Sequence, residues 1–209
     1  STWHLSFLAL GSCYSLFFLS SLIINGFIPA SEKTSHILLS FSTMFQHPLM
    51  LLFMTYFARQ EEIKKALQYS LIILLLIGII ILTKNDIGTN ARPVVLGLGL
   101  LLVLIYSSLF FMQQIKSSIT QRTETGKAFM ISSILFAYSC YSVIFLIKYV
   151  FRSTNTEDLF TLYEMSTFIS TILLIIGIFT NRKVKQKTEE ISIPVTPQLT
   201  EWEEYGSFK

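Results

Sequence analysis

Apolar residues form six long blocks along this chain, and short polar segments separate the blocks. A membrane-spanning helix needs about 20 mainly apolar residues, and each block is close to this length. The pattern therefore predicts an all-α integral membrane protein with a six-helix transmembrane bundle in residues 1–180. The predicted spans are 5–28, 36–58, 67–83, 93–115, 128–151 and 159–180.

The segments between the blocks are too short to hold a separate domain, so neighbouring helices are expected to be antiparallel. Residues 181–209 differ, because a basic stretch is followed by an acidic one with two prolines. This composition is typical of a solvated, disordered tail. A second interpretation is a docking segment in 199–209, where Trp202, Tyr205 and Phe208 recur every three residues among glutamates. Aromatic anchors on a flexible segment suit a protein partner.

The distribution of basic residues predicts the orientation of the bundle, because short cytoplasmic loops carry an excess of lysine and arginine. With six spans, one side of the membrane holds ten such residues: Arg59, Lys64, Lys65, Lys116, Arg122, Lys127, Arg182, Lys183, Lys185 and Lys187. The other side holds five: Lys33, Lys84, Arg92, Lys148 and Arg152. We therefore expect both termini in the cytoplasm, and the small size and short loops favour a bacterial inner membrane.

Composition supports this class and excludes others. Only 14% of the residues are charged, whereas soluble domains carry about 25%. The net charge of +3 comes without a basic stripe, so no nucleic-acid partner is expected. Cys13 and Cys140 lie inside apolar blocks, which argues against a disulfide framework. The first apolar block continues well past Cys13, so it is interpreted as a mature span and not as a signal peptide.

The polar residues within the second block give the first candidate site. His47 lies between Gln46 and Pro48 near the middle of the span. A proline inside a helix leaves a carbonyl without its usual donor, so one interpretation is a kink with a locally satisfied histidine. The other interpretation is a polar pocket in which His47 carries a proton or contacts a ligand.

The charged residues of the fifth and sixth blocks extend that candidate site. Lys148 and Glu164 lie near the outer ends of two spans that a short loop connects, so the two charges are expected to meet. A buried ionisable group is costly and often functional in a membrane. The alternatives are an interfacial ion pair, with Lys148 extended towards water, and a ligand or ion site that opens outward and includes Gln46 and His47.

A weak internal similarity at an offset of 93 residues favours an inverted repeat of three helices, as in many transporters. Phe17 and Phe18 match Phe110 and Phe111 at this offset. Chance similarity between apolar blocks is the competing explanation.

Signatures of catalysis and of cofactor binding are missing from the sequence. No metalloprotease pattern, phosphate-binding loop or facing histidine pair for haem is present, so no cofactor or metal is expected. The first functional hypothesis is therefore a non-enzymatic subunit or adaptor that binds a protein partner through its tail or a bundle face. The alternative is a small-molecule carrier or ligand sensor, in transport or signalling, that uses the outward-facing polar site. A membrane enzyme acting on lipid is a third hypothesis, for which no nucleophile and base can be named.

Overall fold

The computed structural model describes residues 2–24, 26–29, 31–84, 92–121, 125–151 and 156–191. Within these ranges the chain forms six α-helices and one π-helix, and it contains no β-strand. The helices are α1 (Thr2–Ile24), α2 (Glu32–Met54), α3 (Glu61–Lys84), α4 (Arg92–Gln121), α5 (Thr125–Phe145) and α6 (Thr156–Ile191), and the π-helix Leu146–Val150 continues α5. The predicted all-α class is confirmed for this part of the chain.

Five of these helices are long and apolar enough to cross a membrane: α1, α3, α4, α5 with its π-helical extension, and α6. In α2 the apolar stretch is shorter, Met44–Met54, because the first half of this helix is polar. The sequence predicts six apolar helices of span length, and the described residues form five of them. Large apolar side chains such as Leu8, Phe168 and Phe179 are exposed, as on a surface that lipid covers.

Local signals place the helix ends differently from the edges of the apolar blocks. Helix α1 ends at Ile24 because Gly26 adopts a positive φ of 73°, and the amide of Phe27 then bonds the Leu22 carbonyl oxygen at 3.0 Å. Helix α2 begins early because the Ser31 hydroxyl accepts a hydrogen bond from the amide of Thr34 at 3.2 Å. The α3, α4 and α6 helices all continue into polar residues, and α6 extends to Ile191, inside the region predicted as tail.

Neighbouring helices pack in chain order, with α2 also in contact with α4. The seam between α5 and α6 is the closest, since a Cβ added at Gly126 would lie 2.5 Å from the Cα of Asn181. The apolar core lies nearer the end of the bundle that holds the α2–α3 turn. Its fully buried side chains include Leu51, Phe53, Met54, Phe57, Phe110, Met130 and Ile131.

Candidate functional site

Polar side chains from four helices meet around the middle of the bundle, between α1, α2, α5 and α6. We call this group the central polar cluster, and its members are Cys13, Tyr14, Gln46, Tyr138, Tyr141, Tyr163, Thr167 and Ser170. Cys13 is eleven residues away from each end of α1, which places it about 16 Å from either end. Because the apolar part of a bilayer is about 30 Å thick, a helix that spans it holds this cluster near mid-depth.

The seam between α5 and α6 forms one wall of the cluster. The Ser133 hydroxyl donates to the Ser170 carbonyl oxygen at 2.7 Å, and the Ser170 hydroxyl donates to the Ser133 carbonyl oxygen at 3.1 Å. Further along, the Tyr141 hydroxyl lies 2.7 Å from Thr167 Oγ1. These small and hydroxylated residues let the two backbones approach closely, which is typical of helix packing in membranes.

Helices α1 and α2 complete the cluster. The Tyr14 hydroxyl lies within hydrogen-bonding reach of the side chains of Ser170 and Thr171 on α6, and the side chain of Gln46 lies within reach of the Tyr163 hydroxyl. The Cys13 thiol donates to the Gln46 carbonyl oxygen at 3.6 Å. The contacts of Tyr14 and Gln46 with α6 connect helices that are not neighbours in the chain, and the Cys13 bond joins α1 to α2.

A cavity of about 30 Å³ lies inside the cluster. Its lining consists of Cys13, Tyr14, Phe17, Gln46, Met50, Ile134, Ala137, Tyr138, Tyr141, Thr167 and Ser170. Among the buried side-chain polar atoms of the described residues, the Tyr138 hydroxyl has no hydrogen-bond partner, and the same is true of Gln114 Oε1, which does not line the cavity. Tyr138 is only 2% exposed, so bulk water does not supply the missing partner.

His47 is buried behind Tyr138 and does not line the cavity. Its ring meets that of Tyr138 edge to face, with 6.0 Å between the ring centroids. On its other side it packs against Gly99 of α4, where an added Cβ would lie 2.6 Å from His47 Cγ. The imidazole therefore contributes to the packing around the Tyr138 ring.

The structure does not bring the four predicted site residues together. Gln46 lines the cavity and His47 supports it, but Lys148 and Glu164 are both exposed. The ion pairs of the described residues include none between these two side chains. Instead, the Lys148 ammonium lies 5.7 Å from the centre of the Tyr149 ring, in the π-helix. The predicted docking residues Trp202, Tyr205 and Phe208 lie outside the described residues.

The sequence-based prediction of the site does not include the tyrosines of the cluster, because tyrosines and serines inside an apolar block are also ordinary residues of helix packing. A usable signal was present in the sequence. Tyrosine is enriched at the two membrane surfaces, whereas Tyr14, Tyr138 and Tyr141 fall well inside their blocks. A hydroxyl at that depth needs an internal partner, so tyrosines at similar depth in several spans indicate a shared polar interior.

A second polar group closes the end of the bundle near the α2–α3 turn. Arg59 donates to the Ser117 hydroxyl at 2.9 Å, and Asn181 donates to the Tyr56 hydroxyl at 3.0 Å. The Lys127 ammonium lies 5.6 Å from the centre of the Tyr56 ring. These contacts tie the α2–α3 turn to α4, α5 and α6.

The residues that the structure describes contain no group of three or more histidine, cysteine, aspartate or glutamate side chains placed to hold a metal ion. The cluster instead offers neutral hydrogen-bonding groups. Comparison with protein-family models, with curated proteins and with solved structures finds no match to this chain.

Proposed function

We propose that this chain is a polytopic membrane protein that binds a small molecule inside its helix bundle, as a carrier or a ligand sensor. The observation that supports this proposal is the cavity in the central polar cluster, which four helices line. If α1 spans a bilayer, Cys13 places this cavity near mid-depth. Binding sites of membrane carriers lie at this depth, between helices. A ligand held there touches α1, α2, α5 and α6 together, so its binding is coupled to the relative positions of these helices.

The test is to fill the cavity and measure ligand-dependent stability. Ala137 lines the cavity, so Ala137→Val places two additional carbon atoms in it. Ala66 is exposed on α3, so Ala66→Val is the same change away from the site. The full chain in lipid nanodiscs would be unfolded thermally with formamide, methanol, urea, glycerol, amino acids and simple salts.

A ligand of the site stabilises the folded state by mass action, by about 2.7 kcal/mol at one hundred times its dissociation constant. We expect at least one compound to raise the unfolding temperature of the parent and of Ala66→Val, but not of Ala137→Val. Water is tested separately, through the rate at which proteoliposomes shrink in an osmotic gradient. The proposal is wrong if no compound raises the unfolding temperature of the parent and Ala66→Val more than that of Ala137→Val, and if all three proteins also give the same water permeability.

A partner-binding subunit or adaptor is the second candidate function. Glu164 supports it, because this carboxyl group is exposed on α6 within an apolar span. A charged side chain inside a spanning helix is costly, and a protein partner on this face would reduce that cost. The aromatic and acidic pattern of residues 199–209 supports the same function from the sequence.

Deletion of residues 202–209 tests this second function. With a tag ahead of α1 and mild detergent, the parent is expected to co-purify with a stoichiometric partner, and the deletion variant to lose it. The change of Trp202, Tyr205 and Phe208 together to alanine should have the same effect, because the aromatic rings supply the binding energy. The change of Glu201, Glu203 and Glu204 together to glutamine is the matched control, because it removes the charges of the segment and keeps its aromatic rings. Retention of the same partner after the deletion would contradict docking through the tail.

A further inference from the structure

Within the central polar cluster, the Tyr138 hydroxyl is the group that lacks a hydrogen-bond partner among the described residues. The hydroxyls of Tyr14, Tyr141 and Tyr163 each bond a side chain of a neighbouring helix. Tyr138 lines the same cavity, is fully buried, and has no partner within the described part of the chain. A buried hydroxyl that loses its bond to water and gains none in return destabilises the folded state.

We propose that the ligand of this site is an uncharged, water-sized molecule that accepts a hydrogen bond from Tyr138. This inference rests on the proposed function and adds the chemical class of the ligand. The bound molecule accepts the hydrogen bond of the one hydroxyl in the cluster that has no partner within the described part of the protein.

The size of the ligand follows from the volume of the cavity. One buried water needs about 10–15 Å³ of such space, and the cavity offers about 30 Å³. It therefore accommodates one or two waters, or a solute of similar size such as formamide or methanol. A sugar or an amino acid does not fit unless the helices move apart.

The charge of the ligand follows from the lining, which contains no acidic or basic side chain. An ion that leaves water for such a site loses its hydration without gaining an opposite charge, and this transfer is strongly unfavourable. Tyrosine, serine, threonine, glutamine and thiol groups provide hydrogen bonds instead. The cavity thus selects against ions by desolvation and favours neutral polar molecules.

The experiment measures whether Tyr138→Phe raises or lowers the unfolding temperature of the protein. If the hydroxyl bonds a ligand, its removal lowers the unfolding temperature in nanodiscs, by about 2–4 °C for a chain of this size. If the hydroxyl has no partner, its removal relieves an unfavourable burial, and the unfolding temperature stays the same or rises. Either of these last two results overturns the proposal. Tyr141→Phe is the matched control, because it breaks the Thr167 bond and should lower the unfolding temperature in every condition.

Added solutes then identify the class of ligand. The difference in unfolding temperature between the parent and Tyr138→Phe should be the same in sodium and potassium salts, at low and at high concentration. A difference that grows with one ion overturns the uncharged class, although the proposed function would stand. A difference that grows with formamide or methanol identifies a neutral solute, and a constant difference identifies water; both results support the proposal.

Discussion

Gly99 of α4 lies in close contact with His47, which packs beside the candidate site. His47 packs against the backbone of α4 on one side and the Tyr138 ring on the other. The atom of His47 nearest to an added Cβ is Cγ, at the base of the ring, so a simple rotation of the ring does not relieve the overlap. The position of the imidazole therefore depends on the absence of a side chain at residue 99.

We expect Gly99→Ala to destabilise the protein by about 1–3 kcal/mol, because an additional methyl group would overfill a packed interior. Gly11→Ala is the matched control, since an added Cβ at Gly11 meets no atom within 4 Å. In a helix the change from glycine to alanine is favourable by up to about 1 kcal/mol, so Gly11→Ala should match or exceed the parent. Thermal unfolding in nanodiscs measures both changes. Equal stability of the two variants would show that His47 is free to move away from α4.

The sequence predicted some residues of the site and missed others for identifiable reasons. Gln46 and His47 were found because polar residues beside Pro48 are conspicuous in an apolar block. Tyr138 was missed because a tyrosine among serines is also ordinary packing material, and only the folded chain shows that its hydroxyl has no partner. Lys148 and Glu164 were grouped by loop length alone. Loop length brings two helix ends together, but it does not fix the direction in which their side chains point.

At the scale of helices, the apolar blocks predicted which helices exist but not where they end or which faces meet. Polar residues at the end of a span are compatible with a helix, so α6 continues to Ile191 without any change in the pattern that marks its apolar part. The glycines Gly97 and Gly99 did not show the spacing of a dimer motif. In the structure each accepts a ring from a different neighbour, Phe145 and His47 respectively. Such pairing depends on how the helices are arranged, which a single sequence does not encode locally.

The π-helix at the end of α5 is a further departure from the simple pattern. The amide of Phe151 bonds the Leu146 carbonyl oxygen at 3.0 Å, one residue further back than in an α-helix. This wider turn changes the direction of the side chains that follow Phe145, among them Lys148. The sequence-based pairing of Lys148 with Glu164 used only the length of the loop between their helices, and loop length carries no information about such an irregular turn.

At the scale of the whole molecule, the candidate site depends on the helix with the weakest membrane signal. Helix α2 contributes Gln46 to the cavity and His47 behind it, yet its apolar stretch is the shortest in the bundle. If α2 crosses the membrane, its polar first half faces other helices or the far surface, and the cavity lies near mid-depth. If it does not cross, the termini lie on opposite sides of the membrane.

The topology of the chain therefore tests the placement of the site. Reporters that are active on only one side of the membrane would be placed ahead of α1, in the turn between α2 and α3, and after α6. We expect all three reporters in the cytoplasm. Arg59, Lys64 and Lys65 place the turn between α2 and α3 on the cytoplasmic side, and each pair of crossings returns the chain to that side. A reporter between α1 and α2 should lie on the opposite side. If instead the two segments that flank α2 face the same side, α2 does not cross, and Gln46 reaches the cavity from a helix that enters and leaves the bundle on one side.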